Sequence, residues 1–195
     1  MHIKVAGLTA VLVLTWSSFA AAGPVVDAAT QAEALQADGN TVGALNALDE
    51  AVGVVWESGP LAFRTVALVD SASGYGLYEK RADPTFRPDE KLTVYVEPVG
   101  FGYGSADGAA SSIGFTADLG IENATGQVLS ETKDVFSIST PSAPDRREFY
   151  MALTFTVPYL RPGEYKAIFN VHDRNSAKSG TFEVPFSIGL PAGAE

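Results

Sequence analysis

The sequence predicts a mainly β chain, an antiparallel sandwich of seven or eight strands preceded by a short helical hairpin. Three observations carry this expectation. From Leu61 onward apolar residues recur at every second position, the period of a strand with one face in a core. Between residues 24 and 60 they recur at three- and four-residue steps, the period of helices. Turn-forming groups break the alternating runs at short intervals, as in sandwiches rather than in alternating β/α folds.

The elements follow in order. Lys4 precedes an apolar run from Val5 to Trp16, and Ala20-Ala21-Ala22 is a small-residue cleavage motif before Gly23. Residues 1–22 thus read as a secretory signal peptide. The run is short for a membrane span, and no second such run follows. Residues 23–60 form the expected hairpin. Val26, Ala29, Ala32 and Leu35 mark one face of its first helix, and Asp38-Gly39-Asn40 is a stop signal. Thr41 caps a second helix whose face is Val42, Leu45, Leu48, Val52, Val55 and Trp56, and Gly59-Pro60 ends it. The pattern resembles one tetratricopeptide-type repeat. A single copy cannot bury its own face, so Trp56 and its neighbours are expected to dock on the next domain.

Residues 61–189 carry the strands. The clearest alternation is Phe149, Met151, Leu153, Phe155 and Val157 on one face, with Tyr150, Ala152, Thr154 and Thr156 on the other. Further runs are Leu92/Val94/Val96, Ile113/Phe115/Ala117/Leu119/Ile121, Tyr165/Ala167/Phe169/Val171 and Phe182/Val184/Phe186/Ile188. Weaker ones lie near Phe63–Val69, Tyr75–Glu79 and Gln127–Phe136. Pro185 marks the last strand as an edge or a bulge. Residues 190–195 are expected to form a flexible tail.

Two motifs carry a resemblance. Leu160-Arg161-Pro162-Gly163-Glu164-Tyr165 resembles the L-x-P-G-x-Y turn of bacterial exported immunoglobulin-like and fibronectin-type modules. The resemblance implies an immunoglobulin-like sandwich in which the Tyr165 hydroxyl bonds back to nearby backbone. Phe86-Arg87-Pro88-Asp89-Glu90 resembles their F-x-P-G-E strand entry, with Asp89 where glycine is usual. The chain also resembles small periplasmic proteins of Gram-negative bacteria, which implies a location and no mechanism.

Composition narrows the function. The 195 residues include no Cys, which excludes disulfides, thiolate metal sites and a Cys nucleophile. With 13 basic and 23 acidic residues the net charge is −10, which argues against nucleic acid and anionic membranes as partners. Beyond the leader the one histidine, His172, stands beside Asp173 on the outward phase of its strand, and no G-x-S-x-G elbow is present. Glu97 and Asp118 are outward-phase acids, but most such acids keep a surface wet. Asp173, Asn175 and Asp70 could gather around a cation, yet Asp173-Arg174-Asn175-Ser176 reads more economically as a hairpin turn. Asn123-Ala124-Thr125 matches a glycosylation sequon by chance in a turn. No enzyme activity, cofactor or metal is therefore expected.

The richest stretch is aromatic and glycine-rich. Gly74-Tyr75-Gly76-Leu77-Tyr78 begins it, and Tyr95 to Gly104 runs from a strand into a loop. Tyr95 and Glu97 share the outward phase, and glycines flank Phe101 and Tyr103, leaving those rings little local cover. Exposed rings beside an acid suit a carbohydrate or peptide platform. The same rings are more simply read as covering the sheet or holding the hairpin against it, since the helices need a docking surface. The expected ligand-binding residues are Tyr78, Tyr95, Glu97, Phe101 and Tyr103. The expected function is a non-enzymatic binding module of the cell envelope, periplasmic or secreted, with a glycan, peptide or envelope protein as partner. A structural accessory of an envelope complex is the first alternative and a hydrolase the last.

Overall fold

The computed structural model describes residues 23–106, 110–143, 146–157 and 160–189. The expected signal peptide and tail lie outside the described residues. Two helices come first, α1 (Pro24–Ala37) and α2 (Thr41–Ser58). Among the described residues ten strands follow: β1 (Ala62–Gly74), β2 (Leu77–Lys80), β3 (Thr85–Phe86), β4 (Leu92–Val99), β5 (Gly104–Ala106), β6 (Ala110–Asn123), β7 (Val128–Ser142), β8 (Met151–Phe155), β9 (Gly163–Asp173) and β10 (Ser179–Ile188). The fold is mainly β, two helices and then two sheets. Eight strands coincide with the alternating runs. The other two, β3 and β5, are too short for periodicity to detect.

The chain divides into two compact units inside α2, between Ala51 and Val52. In the first unit the Asp38-Gly39-Asn40 stop is a full helix terminus. Gly39 takes φ 74°, Asn40 N–H donates to the Leu35 carbonyl and Gly39 N–H to that of Gln36. Asn40, not Thr41, caps α2, its Oδ1 accepting from Gly43 N–H at 2.9 Å. The buried helix faces differ in part from expectation. Ala32 and Trp56 are buried as expected, but the other buried positions are Ala28 on α1 and Ala44, Ala47 and Ala51 on α2. Val26, Val42, Leu45, Leu48, Val52 and Val55 are exposed, Val42 by 70%.

In the second unit one sheet runs β2-β1-β4-β8 and the other β3-β10-β9-β6-β5, with β7 paired to β6. Every pairing is antiparallel except the two-residue β3 against β10. The sheets share one core. Val94, Val96 and Leu153 face it from the first sheet, and Phe115, Phe169 and Phe182 from the second. β8 repeats the predicted alternation residue by residue, with Met151, Leu153 and Phe155 buried. Pro185 sits where β10 has a partner on one side only, since β3 reaches just Ser187 and Ile188.

Two turns use the motifs noted in the sequence. Tyr165 Oη donates to the Arg161 carbonyl at 2.7 Å. Asp89 takes φ 62°, the left-handed conformation that glycine usually supplies. That turn is tied down by its neighbours. Glu90 accepts from Arg87 N–H and pairs with Arg81, which also pairs with Asp70 and lies 4.0 Å over the Phe86 ring.

Candidate functional site

β4 crosses the first sheet with Val94 and Val96 turned into the core and Tyr95 and Glu97 turned out. The outward pair is nevertheless buried. The Tyr95 ring stacks against Tyr78 at 4.3 Å and against Tyr150 at 5.5 Å, three nearly parallel rings in a row. Tyr95 Oη donates to Glu97 Oε1 and accepts from Gly76 N–H, both at 2.7 Å. Thr65 Oγ1 donates to Glu97 Oε2 at 2.7 Å. Burial, then the neighbouring Glu97 carboxylate, pushes the Tyr95 hydroxyl up to about 12, so it stays protonated. Gly76, at φ 69°, lets the β1–β2 turn curl over this outer face.

The expected exposure of three residues is therefore corrected. Tyr95 is the buried middle ring of the tyrosine stack, Glu97 is buried beside it, and Phe101 is 1% exposed. Glycines around Phe101 bring the chain close instead of leaving the ring bare. Gly100, at φ 78°, sits where a Cβ would come within 2.6 Å of the Pro60 carbonyl oxygen. Trp56 Nε1 donates to the Phe101 carbonyl at 2.8 Å, and the Trp56 ring meets Phe101 edge-on at 4.9 Å. Tyr103, Phe115 and Phe149 surround the rest of that ring. Tyr103 is half-buried, its hydroxyl donating to the Arg146 carbonyl at 2.9 Å. Tyr78, 37% exposed, keeps a solvent-facing side.

The β9–β10 turn fastens the Phe101 loop. Asp173 Oδ2 accepts from Gly102 N–H and Ser176 Oγ, and Oδ1 from Asn175 N–H. Asn175 Nδ2 donates to the Gly102 and Ser112 carbonyls. Asp173-Arg174-Asn175-Ser176 is thus a hairpin turn. Asp70 is not brought to it, being paired with Arg81 on the first sheet.

Glu97 and Asp118 are not brought together either, because they lie on the outer faces of opposite sheets. Asp118 accepts from Lys133 Nζ at 2.8 Å and from Asp134 N–H at 2.9 Å, with His172 Nε2 at 3.4 Å. These contacts pin a bulge in β7, where residues 133–135 oppose Asp118 alone and Asp134 takes φ 49°. The Lys133 ammonium, the Asp134 N–H and His172 hold the Asp118 carboxyl down at about 2, against the opposing pull of burial. A carboxyl with a lowered folded-state pKa stabilises the fold above its unfolded value and loses that contribution as the group is protonated. Stability should therefore fall as pH drops from about 4 towards 2. Asp118→Asn should remove that part of the pH dependence and cost about 1–2 kcal/mol at pH 7, since the Lys133 partner is screened by solvent. Urea midpoints of both proteins between pH 2 and 7 check this, and parallel curves would exclude it.

The structure adds a feature that sequence reasoning missed. A cleft of about 510 Å³ opens beside the tyrosine stack. Tyr75 and Tyr150 stand on its sides, Ile113, Phe149 and Met151 form its apolar part, and Arg146 and Glu148 line it with charge. Tyr75 and Tyr150 are legible as tyrosines near or within alternating runs. Their convergence depends on the β4–β8 register, which sets Val96 opposite Met151 and which no local pattern reveals. An apolar cleft with a few polar groups is the usual form of a small-ligand site.

No protein-family model matches the chain, and no curated protein matches it. Solved structures give distant likenesses. The sporulation control protein Spo0M of Bacillus subtilis is 11% identical with a TM-score of 0.33, over 68% of this chain and 51% of that one. The alkylpurine DNA glycosylase AlkC of Pseudomonas fluorescens, bound to DNA containing an abasic site analogue, is 9% identical with a TM-score of 0.33, over 80% and 40%. The β-glucuronidase of Parabacteroides merdae is 14% identical with a TM-score of 0.31, over 66% and 14%. The chain spans about half or less of these proteins. At such scores the likeness carries neither a fold family nor an activity.

Proposed function

We propose that the protein is a non-enzymatic binding module of the cell envelope, built on an immunoglobulin-like sandwich, that recognises its ligand through aromatic side chains. The observation that carries this reading is the cleft beside the stacked Tyr78, Tyr95 and Tyr150, with Tyr75 and Tyr150 in its walls. Tyrosine faces supply apolar contact and their hydroxyls a polar tip, which suits a sugar ring or an extended peptide. The recognition surface differs from the one expected from sequence. Tyr95 and Glu97 support it from below, while Tyr75, Tyr78 and Tyr150 meet the ligand. The Tyr165 bond to Arg161 and the left-handed Asp89 support the immunoglobulin-like assignment. The signal-peptide pattern of residues 1–22 supports an exported location. No described helix is long and apolar enough to cross a membrane.

A second reading, an accessory subunit of an envelope complex, is favoured by α2. Its exposed Val42, Leu45, Leu48, Val52 and Val55 form an apolar stripe. Residues 23–60 carry Asp27, Glu33, Asp38, Asp49, Glu50 and Glu57 and no Lys or Arg. A protein surface with an apolar groove and a basic rim would complement that stripe. One experiment separates the readings. Glycan and peptide arrays are probed with the full chain, with Tyr150→Ala and with a Leu45→Ser/Val52→Ser double variant. The module reading expects array binding that Tyr150→Ala weakens at least about tenfold and the helix variant leaves unchanged. Array binding by none of the three proteins, with an in-cell crosslink to one envelope protein lost only in the helix variant, would replace it with the accessory reading.

A further inference from the structure

We propose that the cleft binds a carboxylate-bearing sugar, with Arg146 receiving the carboxylate and Tyr150 supporting the ring; this rests on the binding-module reading. The chain carries a net charge of −10, so a guanidinium lining its aromatic cleft is a local exception to the field around it. Arg146 is held at its root. Its carbonyl accepts from Tyr103 Oη at 2.9 Å, and its Nε donates to the Glu148 carbonyl at 3.2 Å. Among the described residues its two Nη groups carry no partner. That leaves the planar two-donor fork that matches a carboxylate in a bidentate way.

Glu148 decides what accompanies the carboxylate. It lines the same cleft, is exposed, and makes no ion pair with Arg146. A carboxylate side chain there accepts hydrogen bonds from hydroxyl groups. The Thr140 hydroxyl lines the cleft as well. A sugar acid uses the whole set at once. Its carboxylate meets Arg146, its hydroxyls meet Glu148 and Thr140, and its C–H face lies on Tyr150. An aromatic acid of similar size would satisfy Arg146 and the tyrosines but offer Glu148 no donors. The cleft volume of about 510 Å³ lies within the range of small-ligand sites.

The test is calorimetric titration of the full chain with oligogalacturonate, with the matching neutral galactose oligomer and with phenylacetate. The expected result is oligogalacturonate binding at least about tenfold tighter than the neutral oligomer. Arg146→Ala should abolish that preference, and Arg146→Lys should restore only part of it because the fork is lost. Tyr150→Ala should weaken both sugars without changing their ratio. Thermal melts establish that each variant is folded. Equal binding of the acidic and neutral oligomers, or phenylacetate binding as tightly as the uronate, would overturn the sugar-acid assignment. If neither oligomer binds here but array glycans or peptides still bind through Tyr150, the assignment fails and the module reading stands. Absence of any ligand on arrays and in titrations sinks both.

Discussion

Replacing Tyr95 by Ala is expected to lower the stability of the fold by about 3–5 kcal/mol, the range for deleting a buried aromatic side chain. The ring is fully buried, though it stands on the outer face of its sheet. Its removal opens a cavity between Tyr78 and Tyr150 and takes a donor from the buried Glu97 carboxylate. Tyr95→Phe isolates the second effect. It keeps the ring, strips the hydroxyl, and leaves Glu97 with Thr65 as its side-chain donor. That change should cost about 1–3 kcal/mol, the penalty for an unsatisfied buried polar group. Urea unfolding of the three proteins measures both numbers. A loss below about 1 kcal/mol for Tyr95→Ala would show that the ring is not a packed element of the fold. The outcome also bears on ligand work, because a Tyr95 variant that binds poorly could simply be unfolded. Tyr150 is the sounder probe of recognition.

The second large effect is expected at Phe101. Phe101→Ala should also cost about 3–5 kcal/mol. The ring meets Trp56, Tyr103, Phe115 and Phe149, so it joins the end of α2, the β4–β5 loop and both sheets at one point. Its loss should loosen Trp56 as well. The signature is a red-shifted and more easily quenched Trp56 emission in the folded variant, compared with a Trp56→Phe control. Unchanged Trp56 fluorescence together with unchanged stability would mean that the aromatic cluster is not continuous.

What was legible in the sequence depended on range. The alternation in β8, β9 and β10 read correctly because a strand at the edge of a core records its own two faces. Pro185 and the Asp38-Gly39-Asn40 stop read correctly because their chemistry is local. The phase of Tyr95 and Glu97 was right and their exposure was not. Period tells which way a side chain turns, while the β1–β2 turn that covers these two arrives from twenty residues away in the chain. The helices misled for a different reason. Hydrophobic spacing selected the large residues of α2, of which only Trp56 is buried, whereas the other buried positions are Ala44, Ala47 and Ala51. Small side chains contribute little to a hydrophobicity pattern, yet they allow the closest approach. The cleft was illegible because it forms where the β1–β2 turn, β6, β7 and residues 146–152 meet, segments that no local pattern brings together.

The bulge at Asp134 has a consequence for how copies of this protein behave when crowded together. β7 is fifteen residues long and among the described residues pairs only with β6, so its other side offers a row of backbone donors and acceptors. Such a rim is a template on which identical chains can polymerise. The two extra residues in the stretch opposite Asp118 interrupt that template near its middle. An incoming strand can align with the segment before the kink or with the segment after it, but not with both in one register. Lys133 and Asp134 add charge at the interruption, and Pro141 removes a donor near the far end. The carboxylate that shapes this strand thereby also works against fibril growth.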